Sequence, residues 1–133
     1  MGSFSDYLEN EILDHVFKTG AFTQPTNLYV ALCKSTVEDD DTGSTLPSEI
    51  SGGSYARKVC DTWDVAASGA TENTGAITFA QATADWGVVT DFAIVDALSD
   101  GNVIAYGKLT VSKNIQSGDT ASFAAGDIDI TLT

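Results

Sequence analysis

Cations are scarce in this chain: six Lys and Arg stand against nineteen Asp and Glu, giving a net charge of −13 and a pI near 4.1. No basic run occurs anywhere. Phosphate binding depends on clustered cations that release counterions, so nucleic acid is a poor partner, and anionic membrane surfaces are disfavoured for the same reason. Long apolar runs are missing too. No stretch approaches the ~20 apolar residues that span a bilayer. The opening MGSFSDYLENEIL has its first cation only at Lys18, which is not the pattern of a secretory signal. Histidine occurs once, at His15, and cysteine twice, at Cys33 and Cys60, without CxxC spacing. Both cysteines lie in apolar-rich segments, so the expectation is buried, reduced thiols in a protein made in a reducing cytoplasm.

What is present suits one domain over residues 1–133, with 43% hydrophobic and 9% aromatic residues. A chain of this length buries enough surface to form a core without staples or metals. Residues 1–20 hold the one convincing helix, Ser5 to Thr19, opened by hydroxyl residues and by Asp6 and Glu9, and closed by Lys18 and Gly20. Leu8, Ile12 and Val16 lie along one side of it, widened by Leu13 and Phe17, so the helix is expected to dock across a sheet edge or open end.

Residues 21–133 change to a period of two. Asn27 to Lys34 is apolar on both faces, as a central strand covered on each side would be. Further strands are expected at Ser54–Trp63, Ala76–Ala80, Val88–Asp96, Val103–Val111, Thr120–Phe123 and Ile128–Leu132. Ser99-Asp100-Gly101-Asn102 signals a hairpin, and Ser117-Gly118-Asp119 and Ala125-Gly126-Asp127 signal two more turns. About seven short strands without intervening helices point to a mainly β fold, an antiparallel β-sandwich with one N-terminal α-helix. The polar stretch at 35–53, which contains Asp39, Asp40 and Asp41, reads as a long mobile loop or arm.

Chemistry is thinly represented. His15 projects within about 20° of Leu8 on the helix, a boundary position, and nothing in the sequence pairs it with Cys33 or Cys60 as a nucleophile. The triple aspartate invites calcium, but counted from Asp39 the EF-hand pattern fails where Gly43, Ser44 and Ile50 stand. Ser51-Gly52-Gly53-Ser54 lacks the Lys-Ser/Thr that completes a phosphate cradle. The reading is therefore non-enzymatic, with no catalytic residue, no metal and no cofactor. Trp63 and Tyr55 share a parity on one expected strand, which keeps a carbohydrate-binding module open as one alternative.

A set of short motifs runs in order along nearly the whole chain. It begins with Asp6-Tyr7-Leu8-Glu9-Asn10, Leu28-Tyr29-Val30-Ala31-Leu32 and Ser51-Gly52-Gly53-Ser54-Tyr55-Ala56-Arg57. Phe79, Ala82-Thr83, Trp86-Gly87, Phe92-Ala93-Ile94, Asp96-Ala97, Tyr106-Gly107, Gly118-Asp119 and Ala125-Gly126-Asp127-Ile128 follow. This order resembles a family of small tailed-bacteriophage virion proteins, often labelled tail fibre-like, some of which decorate capsids as cement proteins. The acidic stretch at 35–53 is longer and more charged than that resemblance leads one to expect.

The resemblance implies a non-enzymatic structural protein of the virion. The leading expectation is a capsid cement or decoration protein binding the major capsid protein lattice, with a tail fibre or tail-associated adhesin for a host receptor as the alternative. It also implies a homo-oligomer, dimer or trimer, on the capsid surface or the tail. Candidate interface residues are Phe4, Tyr7, Trp63 and the loop aspartates Asp39, Asp40 and Asp41, in an interface dominated by neutral and apolar contacts.

Overall fold

The computed structural model describes residues 2–132. The elements in chain order are β1 (Gly2–Phe4), α1 (Asp6–Val16), β2 (Tyr29–Cys33), β3 (Lys58–Val59) and β4 (Ala70–Glu72). They continue with β5 (Ile77–Thr78), β6 (Gly87–Val95), β7 (Val103–Ile115), β8 (Ser122–Phe123) and β9 (Asp129–Thr131). The fold is mainly β with one helix, and every strand pairing is antiparallel.

The longest strands, β6 and β7, form the hairpin foreseen at residues 99–102, where Asp100 and Gly101 take the positive φ angles of the turn. Around it a five-stranded sheet runs in the order β1-β7-β6-β2-β3. β2 is apolar on both faces because it lies inside this sheet and both faces are covered. Val30 and Leu32 point into the main core with Ile77, Phe79, Trp86, Ile94 and Ile128, whereas Ala31 and Cys33 point the other way, against Val37, Leu46, Val95 and Val103.

A register shift between Val89 and Asp91 keeps β6 consistent with this arrangement. Val89 faces the main core, and one extra residue later Asp91, Ala93 and Val95 face the second cluster while Ile94 returns to the first.

The layer over the main-core face is not one continuous second sheet. It consists of two ribbons, β4-β9 and β5-β8, with irregular segments between them. Asn73 stitches the layer together: its amide donates to the carbonyls of Gly75 (2.8 Å) and Ala124 (3.0 Å), and its side-chain oxygen accepts from Ile128 N–H (2.9 Å).

Several expectations are corrected. The stretch 54–63 is a strand only at Lys58–Val59, because Gly52, Gly53 and Ser54 all take left-handed φ and turn the chain before it can pair. β1 and β4 were not foreseen. Residues 35–53 do not form a free arm. The segment is irregular, but Val37, Leu46 and Ile50 are buried and Cys33 forms a β-bridge with Glu49. Gly43 passes so close to the hairpin turn that an added Cβ would stand 1.8 Å from the Asp100 carbonyl oxygen.

The helix starts as expected. Ser5 caps it, accepting from Leu8 N–H (3.3 Å) while its hydroxyl donates to the Val103 carbonyl of β7. It stops three residues early, however. Lys18, at φ 66°, supplies the left-handed residue, and Thr19 N–H returns to the Asp14 carbonyl (2.9 Å). Docking is confined to its first turn. Leu8 is the one buried residue, while Ile12, Leu13, Val16 and Phe17 face solvent, so the expected burial of the stripe does not occur.

Candidate functional site

A buried charged network centres on Arg57, the only arginine in the chain. Its guanidinium grips the Glu49 carboxylate in a two-pronged pair, Nε to Oε1 at 2.8 Å and Nη2 to Oε2 at 2.9 Å. The remaining donors reach the carbonyls of Gly43 (2.6 Å), Ala97 (3.0 Å) and Asp100 (2.9 Å). The Tyr55 hydroxyl donates to Glu49 Oε1 (2.9 Å) and accepts from Leu32 N–H (3.0 Å). Burial pushes the Tyr55 hydroxyl well above its ordinary value, and the hydrogen bonds that the Arg57 guanidinium donates to Glu49 hold it even more firmly protonated.

Every donor is spent on main chain or on Glu49, so the cluster is a clamp between the 43–49 segment, β2 and the β6–β7 turn. Gly53 completes the motif: its carbonyl accepts from Trp86 Nε1 (2.9 Å), and an added Cβ would stand 2.9 Å from that nitrogen. The Ser51-to-Arg57 run that carries the sequence resemblance is thus a packing and clamping device.

Among the described residues His15 is not placed against either cysteine as a base against a nucleophile. His15 is exposed, not at a covered boundary, because the helix docks only by its first turn; its Nδ1 accepts from Phe22 N–H (3.2 Å). Burial pushes the Cys33 and Cys60 thiols up to about 12, which keeps both protonated at neutral pH. Among the described residues no cluster of three His, Cys, Asp or Glu side chains is placed to hold a metal ion. No described helix is long and apolar enough to cross a membrane.

The proposed interface residues separate into two groups. Tyr7, half-buried on α1, lies beside the acidic segment, because the Asp39 carbonyl accepts the N–H of Asp6 at 2.9 Å. Asp39 and Asp40 are exposed there, while Asp41 closes a turn, its carboxylate accepting from Glu38 N–H (2.8 Å). The turns at Gln116–Asp119 and Ala124–Asp127 are built alike, with Asp119 and Asp127 accepting at 2.8 and 2.7 Å.

Phe4, on β1, packs against the main core. Trp63 belongs to the ribbon layer, where its Nε1 donates to the Cys60 carbonyl (2.6 Å). Tyr55 is locked edge-on against Trp86 with ring centres 5.4 Å apart, so Tyr55 and Trp63 do not make the flat exposed aromatic face a glycan platform needs.

A groove of about 480 Å³ runs along the far half of β7, lined by Val89, Phe92, Ile115 and Phe123 and also by Lys108 and Lys113. The sequence missed this groove, Arg57's clamp and the buried Asp91. Asp91 takes its hydrogen bonds from Thr90 (2.7 Å) and, at 3.4 Å each, from Val37 N–H and Lys108.

Comparison with known proteins gives one family. The family model described as podophage GP4 fiber I protein gp80 matches residues 3–131. No curated protein matches the chain.

Proposed function

Because the chain belongs to the podophage GP4 fiber I protein gp80 family, we propose that it is a non-enzymatic structural component of a podophage fibre. The observation that carries this reading is the extent of the family match, residues 3–131, which spans the helix and every ribbon of the layered body. Three structural features support it. The buried charges serve a clamp rather than a reaction, the thiols are inert, and the exposed apolar face of α1 offers a contact surface to a neighbouring virion protein.

The family description favours a fibre over the capsid cement role that the sequence resemblance first brought forward. Gold-labelled antibody against the folded protein, applied to intact virions, tests the location. Label on fibres at the tail vertex is expected. Label spread evenly over the shell would overturn the fibre reading in favour of cement bound to the major capsid protein.

A further inference from the structure

Residues 2–22 hold to the body of the molecule by their first few residues. β1 is the outermost strand of its sheet, so β7, β6, β2 and β3 pair without it. Its three residues lie along β7, Gly2 opposite Gly107, Ser3 opposite Tyr106 and Phe4 opposite Ala105. Ser5, fully buried, extends the hold: its N–H donates to the Ile104 carbonyl (3.1 Å) and its hydroxyl to the Val103 carbonyl. Asp6 N–H reaches the Asp39 carbonyl (2.9 Å), and Leu8 is buried. These contacts make a latch.

Beyond the latch the segment bonds only to itself. Among the described residues, Phe17 N–H returns to Leu13, Thr19 and Gly20 return to the Asp14 carbonyl, and Phe22 N–H donates to His15 Nδ1. Thr23, Gln24, Pro25 and Thr26 take part in none of the hydrogen bonds of the described residues, and Pro25 has no N–H to give. The chain is pinned again at Asp61, whose carboxylate accepts from the Asn27 amide (2.6 Å) and from Leu28 N–H (2.7 Å). Residues 2–22 are thus an arm with its own internal bonds, a latch at its tip and a short hinge at its base.

Latch and hinge lie at the same end of the sheet. Phe4 pairs with Ala105, close to Val103; Val103 pairs with Val95, and Val95 with Tyr29, where β2 begins. With the hinge extended, Phe22 can stand up to roughly 17 Å from Asn27, at about 3.4 Å per residue. A second copy that presents this end offers the arm an identical β7 edge. Every latch contact is then remade between chains, so the hinge and the new contacts alone set the balance between closed and exchanged forms.

We infer that two copies exchange these arms, β1 and Ser5 of each chain latching onto β7 of the other. The exchange is reciprocal, so it closes as a two-fold dimer. α1 then passes from one body to the other, and its stripe of Ile12, Leu13, Val16 and Phe17, which faces solvent within a single chain, lies where the two bodies meet. The inference stands on the latch and the hinge and does not depend on the fibre reading.

Cysteines placed across the latch record which chain supplied each half. Ser3 and Tyr106 stand directly opposite, and the native Cys33 and Cys60 are buried. The full-length double variant Ser3→Cys/Tyr106→Cys is checked for folding in reductant by circular dichroism and melting. It is then refolded from urea in a glutathione redox buffer, from micromolar to millimolar concentration, and run on non-reducing denaturing gels. A disulfide within one chain gives a covalent monomer, and a disulfide between chains a covalent dimer. A share of covalent dimer that rises with concentration is expected. Mixing the two single variants before refolding removes the intrachain option, and there a covalent dimer joining one variant to the other is expected, absent from either variant alone. Sedimentation of the wild type refolded at millimolar concentration reads the same exchange without any substitution, as a dimer. Covalent monomer alone at every concentration, no disulfide in the double variant, a mixture that behaves like the single variants, or a wild type that stays monomeric would each overturn the proposal.

Discussion

Arg57 shows how much one residue can hold. Its five N–H donors tie together three chain segments distant in sequence, and its side chain is only 4% exposed. Removing one partner of a buried, hydrogen-bonded ion pair leaves the other charge desolvated, so Arg57→Met should cost about 3–5 kcal/mol in urea unfolding. Arg57→Lys should recover only part of this, because an ammonium cannot reproduce the planar fork. A loss within experimental error for Arg57→Met would contradict the clamp. From sequence, Arg57 stood only inside a motif. Its partners Glu49, Gly43 and Asp100 share no spacing with it, so the network was invisible until the chain folded.

The cysteines, by contrast, were readable, because both fell in apolar strand-like segments. Their pKa values are raised from an ordinary 9.0 to about 12 in the folded protein. Above pH 9 the unfolded chain releases these protons and the folded chain does not. The stabilisation is therefore complete below pH 9 and drains away as pH climbs toward 12. Each thiol contributes a slope approaching 1.4 kcal/mol per pH unit. The urea midpoint should hold steady to pH 9 and then fall, with the onset belonging to the thiols because free tyrosine titrates nearer 10. A midpoint unchanged through pH 11 would show that the thiols are not buried.

At the scale of elements, the central hairpin was legible because its signals agree: alternation in both strands, an Asp-Gly turn and enough length to dominate the sheet. The short pieces were not. β1 has three residues, Gly2, Ser3 and Phe4, and exists because β7 offers it an edge. The segment 35–53 looked like an arm because its buried residues Val37, Leu46 and Ile50 follow no period.

The helix divides into a docked first turn and a bare remainder. Leu8→Ala should therefore destabilise by about 2–4 kcal/mol, whereas Val16→Ser should stay within roughly 0.5 kcal/mol of the wild type. Thermal melts of the two variants check this. Equal losses would mean that the whole stripe is buried, as its sequence pattern alone would suggest.

At the scale of the molecule, a five-stranded sheet is covered on one face by two ribbons and on the other by the anchored acidic segment. The molecule's net charge of −13 favours colloidal solubility. The family described as a podophage fiber I protein covers residues 3–131, and the proposed place of this chain is in a fibre. A fibre component sits at a low-symmetry vertex, whereas a cement protein must cover a repeating lattice, so copy number separates them. Quantitative mass spectrometry of purified virions, scaled to the major capsid protein, reads that number directly. A small fixed number of copies per particle is expected of a fibre component; an amount comparable with the major capsid protein would contradict the fibre reading.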